Sequence, residues 1–303
     1  MAIYKLTQSK LTAVKDKPYK LEREIQRLFE ENLPVIMGVE VVKSEFTIKN
    51  KRIDTLAFDP QTKAFIIIEY KRDRNSSVVD QGFTYLSLML QNKSDFVLEY
   101  NECKGKTLKR DEIDWSQTRV AFVSTGFTDN QREATNFKDL AIELWEIKRY
   151  ENDIISINHI RKTQAAESIK PVVQNKKELK AVAEEIKVYT EDDHLQNKSD
   201  SVIELYNSFK DSILNLSPDI EIKPQKLYIA FKHKDNNISD IEIQKGGLKI
   251  FINVKSGQLD DPKNLARDVN GIGHWGNGDY ELKATDDKNM EYIMSLIKQA
   301  IRN

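Results

Sequence analysis

Two apolar segments decide the fold of this chain: KRIDTLAFD (51–59) and AFIIIEYKR (64–72). Each has the length of one β-strand, and each carries charged residues inside an otherwise apolar run. The dipeptide Asp59-Pro60 between them is a turn signal. The sequence therefore predicts a β-hairpin whose strands are largely buried.

The register of this hairpin brings its charged side chains together. If Phe58 lies opposite Phe65, Asp54 falls opposite Glu69, and the alternation of side chains places Lys71 on the same face. A buried charge needs a partner or a metal ion, and two carboxylates this close repel each other unless a cation lies between them. The pattern predicts a metal site, with an ion-pair network among the neighbouring basic residues as the structural alternative.

Composition limits the classes of protein to which the chain can belong. It has 303 residues, 39% hydrophobic and 31% charged, with a net charge of −1, which is typical of a soluble globular protein with two domains. A single cysteine, Cys103, excludes an internal disulfide and suits a reducing compartment. We expect a cytoplasmic protein without a signal peptide or a membrane span. Any nucleic-acid binding must come from local basic patches.

Helical and strand-like patterns alternate over the first half of the chain, which indicates an α/β unit with a mixed sheet. The predicted helices span 17–33, 78–93 and 129–140, and the predicted strands span 38–48, 51–59, 64–72, 118–127, 142–150 and 154–160.

The second half predicts a smaller α+β unit. Its expected elements are helices at 199–214 and 288–302 and strands at 226–234, 238–245 and 248–255. We expect a first domain at 1–165 and a second at 199–303, with a charged linker at 166–198. A solvated helix packed on the first domain is the alternative for that linker.

The hairpin residues resemble the PD-(D/E)XK nuclease superfamily. RIDTLAFD supplies an aspartate near a strand start, Asp54, and IIIEYKR supplies Glu-x-Lys on the next strand, at Glu69 and Lys71. The family's usual proline before the aspartate is replaced by Ile53. The resemblance covers roughly 17–160 and depends on several elements that occur in the family's order.

The flanking helices carry the other elements of the resemblance. DQGFTYL is similar to the Gln-x-x-x-Tyr element of the RecB-like branch, at Gln81 and Tyr85, which lie one helical turn apart. The resemblance implies that they position the lysine or the scissile phosphate, whereas simple packing is the alternative. The preceding helix commonly supplies another acid, for which Glu22 is the first choice and Glu24 or Glu31 are alternates.

The resemblance implies a restriction-endonuclease-like α/β domain at 1–165, with a mixed central sheet flanked by helices, followed by the smaller α+β domain at 199–303. The implied activity is metal-dependent hydrolysis of phosphodiester bonds, by an endo- or exonuclease acting on DNA, with RNA not excluded. Restriction of foreign DNA, as in anti-phage defence, and DNA repair are the settings that such nucleases serve.

The residue chemistry agrees with this mechanism. Mg²⁺ or Mn²⁺ prefers oxygen ligands and can both offset phosphate charge and activate water. Asp54 and Glu69 would hold the ion, with the backbone carbonyl of Tyr70, and Glu22 would bind it through water or organise a second ion. Lys71 would orient or deprotonate the attacking water.

Basic residues near the hairpin are candidates for nucleic-acid contacts. Arg72 and Arg74 come directly after the second strand and are expected to touch flanking phosphates. The segment NECKGKTLKRDE (101–112) adds Lys104 and Lys106. A solvated loop is the alternative reading of that segment.

The second half resembles an uncharacterised C-terminal domain found in bacterial proteins with nuclease-like N-termini and in some modification-dependent restriction systems. Its loop VNGIGHWGNGDYEL (269–282) brackets His274 and Trp275 with glycines. They are candidates for stacking on a base or meeting a partner protein, with a tryptophan plugging the core as the alternative. We expect a targeting or assembly role for this domain, through a protein partner, and a homodimer for double-strand cleavage.

Other types of catalytic site find less support in the sequence. Cys103 has no nucleophile signature around it, the four histidines are too scattered for a zinc motif, and there is no phosphate-binding loop of the form Gly-x-x-x-x-Gly-Lys-Ser/Thr. A non-catalytic nucleic-acid-binding or assembly protein that retains the nuclease fold is the alternative to an enzyme.

Overall fold

The polypeptide divides into two units, each with its own sheet and hydrophobic core. The first unit extends to Val188 and the second begins at Tyr189. The computed structural model describes residues 3–72, 77–163, 165–173, 177–234, 236–272 and 277–302. No helix within these ranges is long and apolar enough to cross a bilayer.

The first unit is built on a six-stranded mixed sheet with the strand order β3-β4-β5-β6-β7-β8. Strands β5, β6 and β7 are parallel, and the other neighbours are antiparallel. In chain order the elements are β1 (Tyr4–Thr7), β2 (Lys10–Ala13), α1 (Glu22–Ile36), β3 (Glu40–Ile48), β4 (Lys51–Asp59), β5 (Ala64–Lys71), α2 (Val78–Gln91), α3 (Lys93–Lys104), β6 (Arg119–Ser124), α4 (Asp129–Thr135), β7 (Ile142–Arg149), β8 (Ile155–Ile160), α5 (Lys170–Val173) and α6 (Lys177–Glu185).

The predicted hairpin is present as strands β4 and β5. Phe58 pairs with Phe65, which confirms the predicted register. Their rings meet edge to face, with centroids 5.2 Å apart, in an arrangement that aromatic pairs favour. The paired positions continue as far as Thr55 and Ile68.

The turn at Asp59 is fixed by the carboxylate of that residue. Its Oδ1 accepts hydrogen bonds from the backbone N–H groups of Gln61 and Thr62, at 2.9 and 3.1 Å. Its Oδ2 lies 2.9 Å from Nη2 of Arg119, whose Nε lies 3.0 Å from Glu143. The turn is thus tied to β6 and β7 at the end of the sheet opposite Lys71.

Both faces of the sheet are covered. Helix α1 packs on one face through Ile25, Phe29 and Leu33, and the ring of Phe29 meets that of Tyr70 at 5.9 Å. Helices α2 and α3 cover the other face, together with residues of α6. Because β5 is covered on both faces, seven of its eight residues are buried.

Several features of the first unit differ from the sequence expectation. Helix α4 ends at Thr135 rather than at residue 140, and helix α3 was not predicted. Strands β1 and β2 form a hairpin of their own that was not predicted. Helix α1 begins at Glu22 rather than at residue 17, because the preceding residues run along β7, where the N–H of Lys17 donates to the carbonyl of Arg149.

The segment 166–198 is shared between the two units. Val182 and Ile186 are buried in the core of the first unit, and the N–H of Lys187 donates to the carbonyl of Ser116. This part of the chain therefore packs on the first unit, as the alternative to a free linker describes. The rest of the segment belongs to the second unit.

The second unit has a six-stranded antiparallel sheet with the order β13-β14-β12-β11-β10-β9. Helices α8 and α9 contribute Tyr206, Phe209 and Ile297 to its apolar core. The elements are α7 (Glu191–Leu195), α8 (Asp200–Leu214), β9 (Ile220–Pro224), β10 (Ile229–His233), β11 (Asn236–Gln244), β12 (Gly247–Ile252), β13 (Arg267–Asp268), β14 (Tyr280–Ala284) and α9 (Met290–Arg302).

Candidate metal-dependent active site

The backbone pairing of β4 with β5 ends before Asp54, where a side chain makes the next contact between the two strands. The last paired positions of β4 and β5 are Thr55 and Ile68, and Asp54 and Glu69 are the next residues along the two strands. Here the N–H of Tyr70 donates to Oδ2 of Asp54, at 3.0 Å. Burial, reinforced by the nearby Glu69 charge, raises the pKa of Asp54 to about 6. The structure thus places two mutually repelling carboxylates at the end of the hairpin.

The hydrogen bonds that the described residues donate to Glu69 fall on one of its two carboxylate oxygens. Its residue is 5% exposed. Its Oε1 lies 2.8 Å from Nζ of Lys71 and 2.8 Å from Nε2 of Gln81. Its Oε2 is buried and accepts no hydrogen bond from the residues that the structure describes. This oxygen therefore lacks the hydrogen bond that buried polar atoms normally have.

Helix α2 presents Gln81 and Tyr85 to the site on the same face. Nε2 of Gln81 lies 3.2 Å from the hydroxyl of Tyr85, which donates to the carbonyl of Arg52 at 3.3 Å. Burial, followed by the charge of Glu69, raises the pKa of Tyr85 above its usual value. The tyrosine is therefore a protonated hydroxyl at neutral pH, suited to donating a hydrogen bond.

Glu22 reaches the site from the other face of the sheet, as the first residue of α1. Its Oε2 accepts the N–H of Arg72, at 2.9 Å, and its charge contributes to the raised pKa of Asp54. Tyr70 and Arg72 are two residues apart at the end of β5, and Asp54 and Glu22 accept their N–H groups.

The two alternates to Glu22 lie elsewhere. Glu24 Oε2 is 3.3 Å from Arg149 Nη2, and Glu31 forms an exposed pair with Arg27, one helical turn away at 2.9 Å. Of the three acids considered, Glu22 is the one that the structure brings to Asp54.

A polar network beneath Asp54 was not foreseen. Nε2 of the buried Gln26 donates to the backbone carbonyl of Asp54, at 3.0 Å. The hydroxyl of Thr55 donates to Glu30, at 2.5 Å. The signal in the sequence is a pair of polar residues, Gln26 and Glu30, four positions apart beside an apolar stripe. This network fixes β4 where it carries Asp54.

The donor set fits a hard divalent ion. Mg²⁺ is commonly held by one or two carboxylates together with waters and substrate phosphate oxygens. The unpartnered Oε2 of Glu69 and the repulsion felt by Asp54 are features that a cation would relieve. The carbonyl of Tyr70 points to the same side as its N–H, hence towards Asp54. Within the described ranges, however, no three His, Cys, Asp or Glu side chains converge into a complete metal cluster.

The residues predicted to contact nucleic acid do not all lie at the candidate site. Arg72 lies at the site, with Nη1 donating to the carbonyl of Lys20 at 3.1 Å. Arg74 falls outside the described residues. Lys104 and Lys106 are not brought to the site, because both ammonium groups lie near Glu40, at 3.2 and 4.0 Å.

The position of Glu40 explains why these lysines are remote. It pairs with Phe58, four residues along β4 from Asp54. Lys104 is moreover the last residue of helix α3, so the segment 101–112 begins as a helix rather than as the expected loop. Cys103 is exposed, and its Sγ lies 3.0 Å from Glu99.

The described residues of the second unit include two buried acidic side chains that the sequence did not single out, Asp240 and Glu281. Asp240 is 1% exposed and accepts hydrogen bonds from Nδ2 of Asn237 at 2.7 Å and from the N–H and Nδ2 of Asn277 at 2.7 and 3.0 Å. Burial raises its pKa to about 6. The candidates His274 and Trp275 fall outside the described residues.

Comparison with known sequences gives one full-length relative. An uncharacterized protein of Haemophilus influenzae is 58% identical over 303 residues, which cover 100% of both chains. The model of a domain of unknown function, DUF5655, matches residues 191–302, which lie in the second unit.

Comparison with solved structures gives likenesses at low scores. A repair endonuclease from Pyrococcus abyssi is 18% identical at a TM-score of 0.24, over 43% of this chain and 49% of that one. EndoMS in a double-stranded DNA complex is 15% identical at 0.24, over 48% and 64%. Pyrococcus furiosus SfsA in complex with Ca²⁺ is 14% identical at 0.26, over 52% and 74%. The chain thus spans about half of the first structure's length, and scores of this size do not establish a shared fold.

Proposed function

The chain belongs to the same protein family as its full-length Haemophilus influenzae relative, and we propose that it is a divalent-metal-dependent nuclease that hydrolyses phosphodiester bonds of DNA. The active site in this proposal lies at the end of the β4–β5 hairpin. It consists of Asp54, Glu69 and Lys71, with Gln81, Tyr85 and Glu22 around them.

The observation that carries the proposal is the state of the Glu69 carboxylate. One oxygen is fixed by Lys71 and Gln81, and the other is buried without a hydrogen bond from any described residue. A purely structural ion pair would be expected to satisfy both oxygens, since an unpaired buried acceptor costs about 1–3 kcal/mol. A carboxylate with one fixed and one available oxygen, beside Asp54, suits metal binding.

In this proposal Mg²⁺ or Mn²⁺ is held by Asp54 and Glu69, the carbonyl of Tyr70 and, through water, Glu22. Such an ion supplies charge neutralisation at the phosphate and lowers the pKa of water. Without the ion, Asp54 is protonated below about pH 6, so metal binding competes with a proton at this residue.

The protein's own groups have separate roles. Lys71 is held at the site by its contact with Glu69, from which its ammonium group can orient a water molecule and face the charge that develops on the phosphate. Gln81 fixes the orientation of Glu69. Tyr85, which stays protonated, offers a hydroxyl rather than a base.

Arg72 is the proposed contact to a flanking phosphate, because it stands at the end of β5 directly after Lys71. We assign the second unit a targeting or assembly role, as an extension of the same proposal. Duplex DNA is the first substrate to test, with single-stranded DNA and RNA beside it.

A second candidate function is a non-catalytic nucleic-acid-binding protein. One observation favours it, namely that the described residues contain no complete three-ligand cluster. Thermal melting with and without Mn²⁺ separates the two, because a ligand that binds only the folded state raises the melting temperature. A shift in the wild type that is absent from Asp54→Ala favours the nuclease. No shift in the wild type favours the second candidate.

The decisive experiment is cleavage of supercoiled plasmid, linear duplex and single-stranded substrates with Mg²⁺ or Mn²⁺. We expect metal-dependent cutting by the wild type and by Asp95→Ala, a control at an exposed acid of α3. Asp54→Ala and Lys71→Ala should lose cutting by a factor of at least about 100. Equal cutting by all four proteins would identify a contaminant and contradict the proposed site.

A further inference from the structure

The first hairpin of the chain projects its side chains into solvent on both faces. Strands β1 and β2 pair from Tyr4–Ala13 to Thr7–Lys10, and every residue of both strands is exposed. The turn residues Gln8 and Ser9 both have positive φ, 48° and 66°, which is the two-residue turn geometry that matches the twist of a ribbon. An isolated two-stranded ribbon is marginally stable by itself, so this one is suited to being covered by a partner.

The two faces of this ribbon differ in chemistry. Register places Tyr4 opposite Ala13 and Leu6 opposite Leu11, so these four side chains share one face. Tyr4, Leu6 and Leu11 are 54%, 68% and 66% exposed. The other face carries Lys5 with Thr12, and Lys10 with Thr7.

The ribbon and the segment that follows it are strongly basic. Residues 3–20 contain five lysines and one acid, Asp16, and thus carry a net charge of +4 in a chain whose overall charge is −1. The lysines are Lys5, Lys10, Lys15, Lys17 and Lys20, all exposed. Within the described part of the chain, none of them forms an ion pair with a carboxylate. Their charge is therefore available to an anionic partner.

This basic segment is anchored at the edge of the candidate active site. The guanidinium of Arg149 donates to the carbonyls of Lys17 and Pro18 at 3.2 and 3.1 Å and lies 4.4 Å from the ring centre of Tyr19. The guanidinium of Arg72 donates to the carbonyl of Lys20, and its backbone N–H donates to the carboxylate of Glu22. The segment that follows the ribbon thus runs from the end of β7, at Arg149, to the groups that surround Asp54, which it reaches at Lys20 and Glu22.

We propose that the β1–β2 hairpin is a nucleic-acid-binding arm that holds duplex DNA against the site, an inference that rests on the proposed nuclease function. The major groove of B-DNA, about 12 Å wide, admits a two-stranded β-ribbon, and four-residue strands have a length of about 13 Å. Lys5 and Lys10 contact phosphates, while Leu6 and Leu11 lie against apolar base edges such as thymine methyl groups.

Charge decides between DNA and a second copy of the chain as the occupant. A self-association surface would bury only the apolar face, and it would leave Lys5 and Lys10 on the opposite face without an anionic partner. In DNA, a polyanion, the phosphates can bind the lysines while the base edges contact the adjoining apolar residues. Its binding also releases counterions. The observed charge of this segment therefore favours DNA.

The test is the salt dependence of binding to a labelled duplex of about 30 base pairs, measured by fluorescence anisotropy with the full chain in EDTA, between about 50 and 300 mM KCl. The variant is Lys5→Gln/Lys10→Gln. The matched control, Lys138→Gln/Lys170→Gln, removes two exposed lysines at the opposite end of the sheet. Lys5→Arg/Lys10→Arg keeps the charge and reports whether the ribbon tolerates substitution.

We expect the arm variant to lower the steepness of log K against log salt by about 2, one for each lost phosphate contact. Its affinity at about 100 mM KCl should fall roughly ten- to a hundredfold. The control and the arginine variant should bind as the wild type does. If the arm variant binds with wild-type affinity and slope, the arm proposal is wrong while the proposed function stands.

Two other outcomes are separable from that one. If the wild type binds no DNA even at the lowest salt, the proposed function itself fails, and the arm proposal fails with it. If sedimentation velocity shows a dimer that Leu6→Ser/Leu11→Ser splits, while the lysine variant keeps full DNA affinity, the apolar face is a self-association surface and the arm proposal is overturned.

Discussion

The side-chain amide of Gln81 and the carboxylate of Glu69 meet across helix α2 and strand β5, with Nε2 2.8 Å from Oε1. The same oxygen receives the ammonium group of Lys71. Because these two donors occupy one oxygen, they turn the other oxygen into the buried position that lacks a hydrogen bond. The helix thus acts on the candidate site by setting the orientation of a strand residue.

We expect Gln81→Leu to lower cleavage roughly ten- to a hundredfold, which is the usual cost of losing a group that orients a metal ligand. Gln91→Leu is the matched control, since Gln91 is exposed on the same helix and contacts only Ser87 among the described residues. Initial rates over a series of Mn²⁺ concentrations provide the measurement. Equal loss in both variants would point to damage to helix α2 rather than to a role for Gln81.

The three candidate acids of α1 are distinguishable by single substitutions. Glu22→Gln should lower cleavage several-fold and weaken the Mn²⁺ response, because this side chain lies at the Arg72 N–H and its charge reaches Asp54. Glu24→Gln and Glu31→Gln should leave rates close to the wild type, since their partners are Arg149 and Arg27. A larger loss in either of these would transfer the role of the third acid to it.

Gly278 in the second unit tests packing without touching the candidate site. A Cβ at this position would lie 1.9 Å from the carbonyl oxygen of Ile252, whereas a Cβ at Gly246 meets nothing within 4 Å. Gly278→Ala should therefore lower the free energy of unfolding by about 3 kcal/mol or more, and Gly246→Ala should change it little. Thermal melting of the full-length variants makes the comparison, and similar melting temperatures would contradict the close approach.

Asp240 predicts a pH dependence of stability for the second unit. Burial raises its pKa to about 6, above the value of aspartate in an unfolded chain. The folded state therefore keeps a proton that the unfolded state has lost between about pH 4 and pH 6. This group contributes roughly 1–3 kcal/mol to the free energy of unfolding. The contribution is fully present below about pH 4 and is lost as the pH rises through about 6.

Scanning calorimetry of the full chain between about pH 4 and pH 7 checks this sign. The groups around the carboxylate are Asn237, Asn277 and, by its charge, Lys232. In Asp240→Asn the second unit should melt at a lower temperature. Its melting temperature should also lose the part of the pH dependence that Asp240 causes. An unchanged pH dependence in the variant would show that another group causes it.

The hairpin was predictable because two independent signals coincide in it. The turn signal Asp59-Pro60 lies between two apolar runs, and the register with Phe58 opposite Phe65, on which the predicted site was conditional, is observed. From that register the juxtaposition of Asp54 with Glu69 follows directly. The helical spacing of Gln81 and Tyr85 was likewise sufficient to place both side chains on one face.

Other features depend on tertiary contacts that no local pattern encodes. Gln26 supports Asp54 from a helix 28 positions earlier in the chain. Lys104 and Lys106 are drawn to Glu40 on β3, a partner that their own segment does not reveal. The β1–β2 hairpin lacks the Asn-Gly or Asp-Gly turn that usually marks such ribbons, because Gln8 and Ser9 occupy it.

The short turn between β4 and β5 has a consequence for the order of folding. Asp54 and Glu69 stand on adjacent strands of one hairpin, so only a small loop must close to bring them together, and contacts of this kind form early. In the metal-free chain at alkaline pH, their repulsion then opposes the first steps of assembly, before α2 supplies Gln81. We therefore expect Asp54→Asn to accelerate refolding in stopped-flow experiments more than it slows unfolding. In that case, a cation bound at this hairpin would assist folding at an early stage, in addition to being required for the cleavage of DNA.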